Sequence, residues 1–168
     1  MNIRVITVLF LLILVGSYAR KSEADPANQL SERLLEAGLI KALSLGSEKE
    51  RKAESGPALV AYIKQGYLRR KPDIQQDYND YRFPLKLIHL LGHKVLLIDE
   101  ENITKYIGCC VNEGLGITVD SEGPDLDSFA KNNGCSIRNN PYLPNEVKER
   151  LPKNGWFTLS CKANDAEL

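Results

Sequence analysis

The chain of 168 residues is poor in the side chains and charge patterns on which many functions depend. It has only two histidines, and its 22 basic residues are balanced by 22 acidic ones, which gives a net charge of zero. Nucleic acids and anionic membranes are bound through clustered excess positive charge, which this composition does not supply. We therefore expect no nucleic-acid partner and, once the chain is exported, no membrane partner.

Sequence motifs of several enzyme classes are also absent. The chain has no Cys-x-x-Cys redox motif, no phosphate-binding glycine loop and no Gly-x-Ser-x-Gly nucleophile turn. Gly114 and Gly116 lead into a strand pattern instead of a helix, which predicts a tight turn there and no phosphate site. These absences favour a protein that is not an enzyme and that carries no metal or other cofactor.

The sequence has one long apolar run near its start. The eleven residues Val5–Val15 are apolar apart from one threonine, about half of what a membrane-spanning helix needs. Small residues follow, with Ser17 and Ala19 at the −3 and −1 positions of a cleavage site. We expect a signal peptide over residues 1–19 and one periplasmic or extracellular globular domain over residues 20–168. The alternatives for the apolar run are an uncleaved membrane anchor and a buried core helix.

The four cysteines of an exported chain predict two disulfides. Cys109 and Cys110 are adjacent in a strand pattern, so their side chains point to opposite faces and each needs its own partner. Cys109 and Cys161 share their strand faces with apolar residues, which predicts a Cys109–Cys161 bond and a Cys110–Cys135 bond. The alternatives are the crossed pairing, with Cys109–Cys135 and Cys110–Cys161 bonds, a direct Cys109–Cys110 bond, and a metal or free-thiol role.

The first half of the domain, about residues 26–81, has helical patterns. A helix beginning at Pro26 is predicted from apolar residues at helical spacing, namely Leu30, Leu34, Ala37, Ala42 and Leu43. The charged Ser47–Ser55 segment lacks an apolar stripe, which predicts an exposed linker before a second helix that ends near Gly66. Pro72–Tyr81 predicts a short third helix.

The second half, about residues 83–163, has mainly strand patterns. Phe83–Ile98 predicts a hairpin that turns near Gly92, with Leu87 and Leu97 in the core. Further runs predict three strands, the first of them Lys105–Val111, and two helices before a last strand that ends at Cys161. The predicted fold is α+β, with N-terminal helices packed on a mainly antiparallel sheet of four to six strands and braced by two disulfides.

Two groups of polar residues have side chains that occur in reactive or metal sites. His93 and Cys110 would form a nucleophile pair if the sheet brought them together, although both histidines fit surface or turn positions better. The acids could bind calcium, but their spacing matches no calcium-binding loop, and a solvated acidic surface explains them more simply: Asp73, Asp77, Asp80 and Asp99–Glu101.

A cluster of tyrosines and arginines is the most suggestive feature for function. Both residue types are enriched as anchors of protein interfaces, and six of them fall close together in the sequence: Tyr62, Tyr67, Tyr78, Tyr81, Arg69 and Arg70. The simpler interpretation is that the tyrosines pack the helices onto the sheet. The sequence as a whole predicts a small exported non-catalytic binding domain with a protein partner, of the inhibitor or immunity type. An exported hydrolase with an unrecognised site, or a carrier of a small apolar ligand, is the alternative.

Overall fold

The structure is a computed structural model that describes residues 26–44, 48–76, 78–101, 114–139 and 143–162. Its helices are α1 (Pro26–Leu43), α2 (Glu48–Lys64), α3 (Pro124–Asn132) and α4 (Asn145–Arg150). None of the described helices is both long enough and apolar enough to cross a membrane.

The strands of the described residues form one antiparallel sheet. They are β1 (Ile74–Gln76), β2 (Asn79–Arg82), β3 (His89–Leu90), β4 (His93–Glu101), β5 (Gly114–Val119), β6 (Ser136–Asn139) and β7 (Phe157–Lys162). Their order is β1-β2-β4-β5-β7-β6, and β3 pairs with β4 beside this path. The α+β prediction is confirmed, with seven strands in place of the expected four to six.

Each face of the sheet has its own hydrophobic core. On one face, Ile98, Ile117 and Leu159 lie in register on neighbouring strands and pack with the buried residues of α1 and α2. On the other face, a second cluster joins Leu97 to Val147 of α4 and to residues of the adjoining loops. The alternation of strand side chains assigns neighbouring residues such as Leu97 and Ile98 to different cores.

Helix α1 begins where the sequence predicted but packs through a different stripe. Its buried positions are Leu35, Leu39, Ala42 and Leu43. Leu30 and Leu34 are 61% and 66% exposed, and Ala37 is exposed as well, so three of the five predicted apolar positions do not face the core. The sequence offers two overlapping leucine stripes, and only contact with α2 and the sheet selects between them.

The predicted linker is also wrong, because α2 already includes Glu48 and Ser55 is buried inside the helix. Glu, Lys, Arg and Ala are good helix formers, so the charged segment is helical although it lacks an apolar stripe. The helix then continues through Pro57 and ends before Gly66, as predicted, where φ is +72°.

The predicted third helix is wrong, because Ile74–Gln76 and Asn79–Arg82 are antiparallel strands that pair with each other. Ile74 lies opposite Tyr81 in the β1–β2 pair, and both are buried in the second core. Packing of these two apolar side chains therefore overrides the local pattern, and the helical part of the domain ends earlier than residue 81.

The predicted Phe83–Ile98 hairpin forms only near its turn. His89–Leu90 pairs with His93–Lys94 across the Leu91–Gly92 turn, whereas residues 83–88 leave the sheet as a non-strand segment, here called the 83–88 segment. Leu97 is 1% exposed, as expected, but Leu87 is 54% exposed and lies outside the core. The far half of β4 pairs with β2 in place of the 83–88 segment.

The described residues contain one disulfide, Cys135–Cys161, and both predicted pairings are therefore wrong for these two cysteines. Strands β6 and β7 are antiparallel neighbours with Ile137 opposite Leu159, and this register brings Cys135 beside Cys161, with 4.4 Å between their Cα atoms. Cys161 does face the core, as predicted, and is 1% exposed. Cys109 and Cys110 lie outside the described residues.

Candidate binding cleft

A cleft of about 150 Å³ lies between α1, the end of α2 and the 83–88 segment. Its lining combines apolar, aromatic and charged side chains: Glu32, Arg33, Leu35, Glu36, Tyr62, Tyr67, Leu87 and Ile88, with Gln29 and His89 beside them. Two of the predicted interface tyrosines are therefore brought together in one cavity.

The end of α2 positions the two tyrosines. Gly66 takes the positive φ that ends the helix, and the Tyr67 N–H donates to the Tyr62 carbonyl at 2.9 Å. This is the hydrogen bond of a glycine-terminated helix, and it folds Tyr67 back over the last turn. The two rings meet edge to face, with centroids 5.9 Å apart. The Leu85 N–H donates to the Tyr67 carbonyl at 2.8 Å, which holds the 83–88 segment against the cleft.

Hydrogen bonds from the walls hold both glutamates of α1. The Tyr67 hydroxyl donates to Glu32 Oε1 at 3.1 Å, and the Leu91 N–H donates to Glu36 Oε1 at 2.8 Å. Lys86 Nζ lies 4.9 Å from the centre of the Tyr67 ring and donates to the Gln65 carbonyl at 2.9 Å. The side chains of the cleft are thus held in place from α1, α2 and the turn after β3.

The Tyr62 hydroxyl is the unusual group of the cleft. The residue is only 2% exposed, yet its hydroxyl makes no hydrogen bond with any residue that the structure describes. Burial raises the pKa of this hydroxyl, and the charge of Glu36 and the neighbouring Tyr67 raise it further. Tyr62 therefore keeps its proton at neutral pH and is able both to donate and to accept a hydrogen bond.

The remaining residues of the predicted tyrosine–arginine set lie elsewhere. Tyr81 is buried in the second core, and Tyr78 is 42% exposed in the β1–β2 turn. Arg69 is bound to Asp73, and Arg70 is exposed. The interface prediction thus combined residues from separate places. Tyr62 of α2 and Tyr81 of β2 are both core residues, in agreement with the packing interpretation.

The predicted acidic residues are distributed over separate contacts with cations. Asp73 contacts Arg69 and Arg150, and Asp80 lies 3.6 Å from Arg82. Among the residues of the described ranges, no group of His, Cys, Asp and Glu is arranged to hold a metal ion. Asp77 lies outside these ranges.

Sequence reasoning missed a buried ion pair on the second face of the sheet. Lys162 Nζ lies 3.3 Å from Asp99 Oδ1 and donates to Asn79 Oδ1 at 3.2 Å. The Asp99 carboxylate lies over Gly116, where a Cβ atom would overlap it. Gly116 thus makes room for this pair, whereas Gly114, with φ of +138°, lies against the backbone of Cys161 and Lys162. Both glycines are strand residues and not the predicted turn. Two glycines in alternate strand positions were the available signal.

His93 lies on the surface and does not line the cleft. Its Nδ1 is 2.9 Å from Ser121 Oγ, and Ser121 in turn donates to Asp120 Oδ1 at 3.1 Å. In a hydrolytic triad the acid contacts the histidine and leaves the serine proton to the base. Here the acid contacts the serine, and all three residues belong to exposed hydrogen bonds.

No protein-family model, curated protein or solved structure matches this chain.

Proposed function

We propose that the chain is an exported, non-catalytic domain that binds another protein through the cleft between α1, α2 and the 83–88 segment. The observation that carries the proposal is the pairing of a tyrosine-lined cavity with an exposed apolar rim. Leu87 lines the cavity and is 54% exposed, and Leu85 is 48% exposed next to it. Aromatic pockets with apolar surroundings are where binding energy concentrates in protein interfaces.

The disulfide between Cys135 and Cys161 supports export. Disulfides persist in oxidising compartments and are rare where thiols are kept reduced. The predicted signal peptide over residues 1–19 leads to the same location, periplasmic or extracellular.

The alternative functions have less support from the described residues. A hydrolase would need a base and a nucleophile in a sheltered site, and His93 and Ser121 lie in exposed hydrogen bonds on a different surface. A carrier of an apolar ligand would need an enclosed apolar cavity, usually of about 300 Å³ or more. The cleft is smaller, and glutamates and an arginine line it. A second pocket of about 330 Å³ lies between the 83–88 segment and β4, but it is open to solvent and does not enclose a ligand.

The test compares two exposed leucines. The exported full chain is used to capture partners from its native envelope or secreted fraction, as wild type, as Leu87→Arg and as Leu34→Arg. Leu34, which is 66% exposed on the outer side of α1, is the matched control. We expect the wild type and Leu34→Arg to retain one partner that Leu87→Arg loses. Equal capture by both variants, or no capture by the wild type, would contradict the proposal.

A further inference from the structure

The size of the cleft limits what a partner inserts into it. A cavity of about 150 Å³ holds a molecule of about six heavy atoms, such as benzene. This is close to one unbranched side chain of about five heavy atoms and too small for a peptide segment or a drug-sized ligand, since ligand pockets begin at about 300 Å³. The cleft is therefore a site for a single side chain or a comparably small group.

The floor of the cleft has a hydroxyl that no described residue hydrogen-bonds. Tyr62 is 2% exposed, and its hydroxyl makes no hydrogen bond with the described residues that surround it. The hydroxyl oxygen is not among the buried side-chain atoms without a partner, which in the described residues belong to Arg82 and Asp99, so it reaches the water of the cleft. A bound group that hydrogen-bonds to this hydroxyl would take the place of that water.

The walls determine the charge that the cleft favours. Glu32 and Glu36 line it, and each has only one carboxylate oxygen in a hydrogen bond with the described part of the chain. Arg33 is the one basic residue of the lining, and His89 is exposed beside it. Lys86 is held on the Tyr67 ring by its bond to the Gln65 carbonyl. The lining itself thus carries two carboxylates against one guanidinium, and the Lys86 ammonium adds a second positive charge beside Tyr67. What the walls offer a ligand is the carboxylate oxygens of Glu32 and Glu36 that no described residue bonds.

We propose that the cleft binds an alkylammonium group, supplied by a lysine side chain of the partner protein. An ammonium group has three donors and no acceptor, which matches the acceptors on Glu32, Glu36 and Tyr62. The lysine stem has the length and apolar character to contact Leu35 and Ile88. An arginine guanidinium is bulkier and planar, and a carboxylate would meet like charge. The identity of the donor protein rests on the proposed function, whereas the ammonium site itself does not.

The probe for the site is n-butylammonium, titrated into the isotope-labelled exported chain and followed by amide chemical shifts. We expect saturable shifts at the cleft residues, with n-butanol and butyrate binding at least about tenfold more weakly because they lack the charge. Shifts of similar size and midpoint with n-butanol would overturn the proposal, since an apolar groove alone would then explain binding.

Substitutions that retain the hydrogen bonds of the walls isolate the charge. Glu32→Gln and Glu36→Gln leave an amide oxygen to accept from Tyr67 and Leu91, so the fold should persist, yet each should weaken butylammonium binding about tenfold. Arg33→Ala should strengthen binding because it removes a like charge. Glu146→Gln, exposed on α4 against the other sheet face, is the matched control and should change nothing. Unchanged affinity in both glutamine variants would refute the proposal.

Tyr62→Phe separates a binding role from a structural one. Because its hydroxyl has no partner among the described residues, its removal should leave the melting temperature unchanged or raise it, while butylammonium binding weakens. A lower melting temperature with unchanged binding would show that the hydroxyl serves the fold, and the proposal would fail.

The failure of this inference is distinguishable from failure of the proposed function. If a protein is captured through Leu87 but butylammonium does not bind, the protein-binding function stands and the ammonium site is refuted. If butylammonium binds but no protein is captured, the site stands and the partner's lysine is refuted as its source. Acetylation of the lysines of a captured partner should abolish capture, and capture that survives acetylation also refutes that source.

Discussion

The disulfide gives the sharpest test of the structure, because the sequence predicted a different pairing. If Cys135 and Cys161 are bonded to each other, Cys135→Ala and Cys161→Ala remove the same bond. We expect the two variants to lose similar stability, and the double variant to lose no more than either single variant apart from small packing effects. Two separate disulfides would instead give additive losses.

The two disulfide pairings predict measurably different stability losses for the double variant. For a sequence separation of 26, the chain-entropy model gives a stabilisation of about 3.5 kcal/mol. The predicted pairings would close loops of about 52 and 25 residues, so the double variant would lose about 7.5 kcal/mol under that alternative. Since domains are stable by only about 5–15 kcal/mol, the two outcomes separate a weakened domain from one at the limit of unfolding.

Urea unfolding of the oxidised full chain provides the assay, with the wild type in reductant as a reference for the missing bond. We expect the double variant to lie within about 1 kcal/mol of the less stable single variant, since only the small packing difference at buried Cys161 remains. Additive losses would refute the Cys135–Cys161 assignment. So would a single variant that retains wild-type stability.

Three other perturbations follow from burial. Leu97→Ala should cost about 3 kcal/mol in urea unfolding and Leu87→Ala under about 1 kcal/mol, because only Leu97 is fully buried; equal costs would contradict the placement of the 83–88 segment. Burial raises the pKa of Glu100; the charge of Arg82 opposes this shift and the charge of Asp80 adds to it. Because ionising the buried carboxyl disfavours the folded state, the protein loses stability as the pH rises from the ordinary pKa of 4.5 through the raised pKa. Glu100→Gln should therefore gain stability over the wild type at pH 7 and lose that gain below the ordinary pKa of 4.5, and a pH-independent difference would contradict this. Gly116→Ala should lower the stability by about 1–3 kcal/mol, because the added methyl group displaces the carboxylate of Asp99. Adding Asp99→Ala to this variant should then cost less than Asp99→Ala costs in the wild type, and equal costs would contradict the contact.

Much of the secondary structure follows from local sequence signals. Gly134, with φ of +56°, follows the end of α3, as the sequence predicted, whereas the helix begins at Pro124 and not after the predicted N-cap Asp125. Strands β5, β6 and β7 also appear where short apolar runs predicted them. Such signals act within a few residues and need no knowledge of distant contacts.

The errors occur where the choice depends on distant residues. Strands β1 and β2 form in place of the predicted helix because Ile74 and Tyr81 reach the second core together. Leu87 is exposed because β2, and not the 83–88 segment, pairs with the far half of β4. In both cases the local pattern allows two structures, and packing against another element selects one.

The candidate cleft shows the same division. The sequence indicated tyrosines as anchors, but it joined Tyr62 and Tyr67 to Tyr78, which lies on another surface, and to Tyr81, which is buried in the second core. It gave no indication of Glu32 and Glu36, because acids on an amphipathic helix look like any solvated face. Only the approach of α1 to the end of α2 brings these carboxylates to the tyrosines.

The sequence by itself determined the α+β class, the positions of α1 and of the later elements, and the core-facing orientation of Cys161. These depend on periodicity and on turn residues, which are local. The tertiary structure decided the partner of Cys161, the exposed side of α1 and the composition of the cleft. Each of these depends on which strands and helices become neighbours. The neighbours are determined by the free energy of burying apolar surface in one packed core, and every element contributes to that free energy.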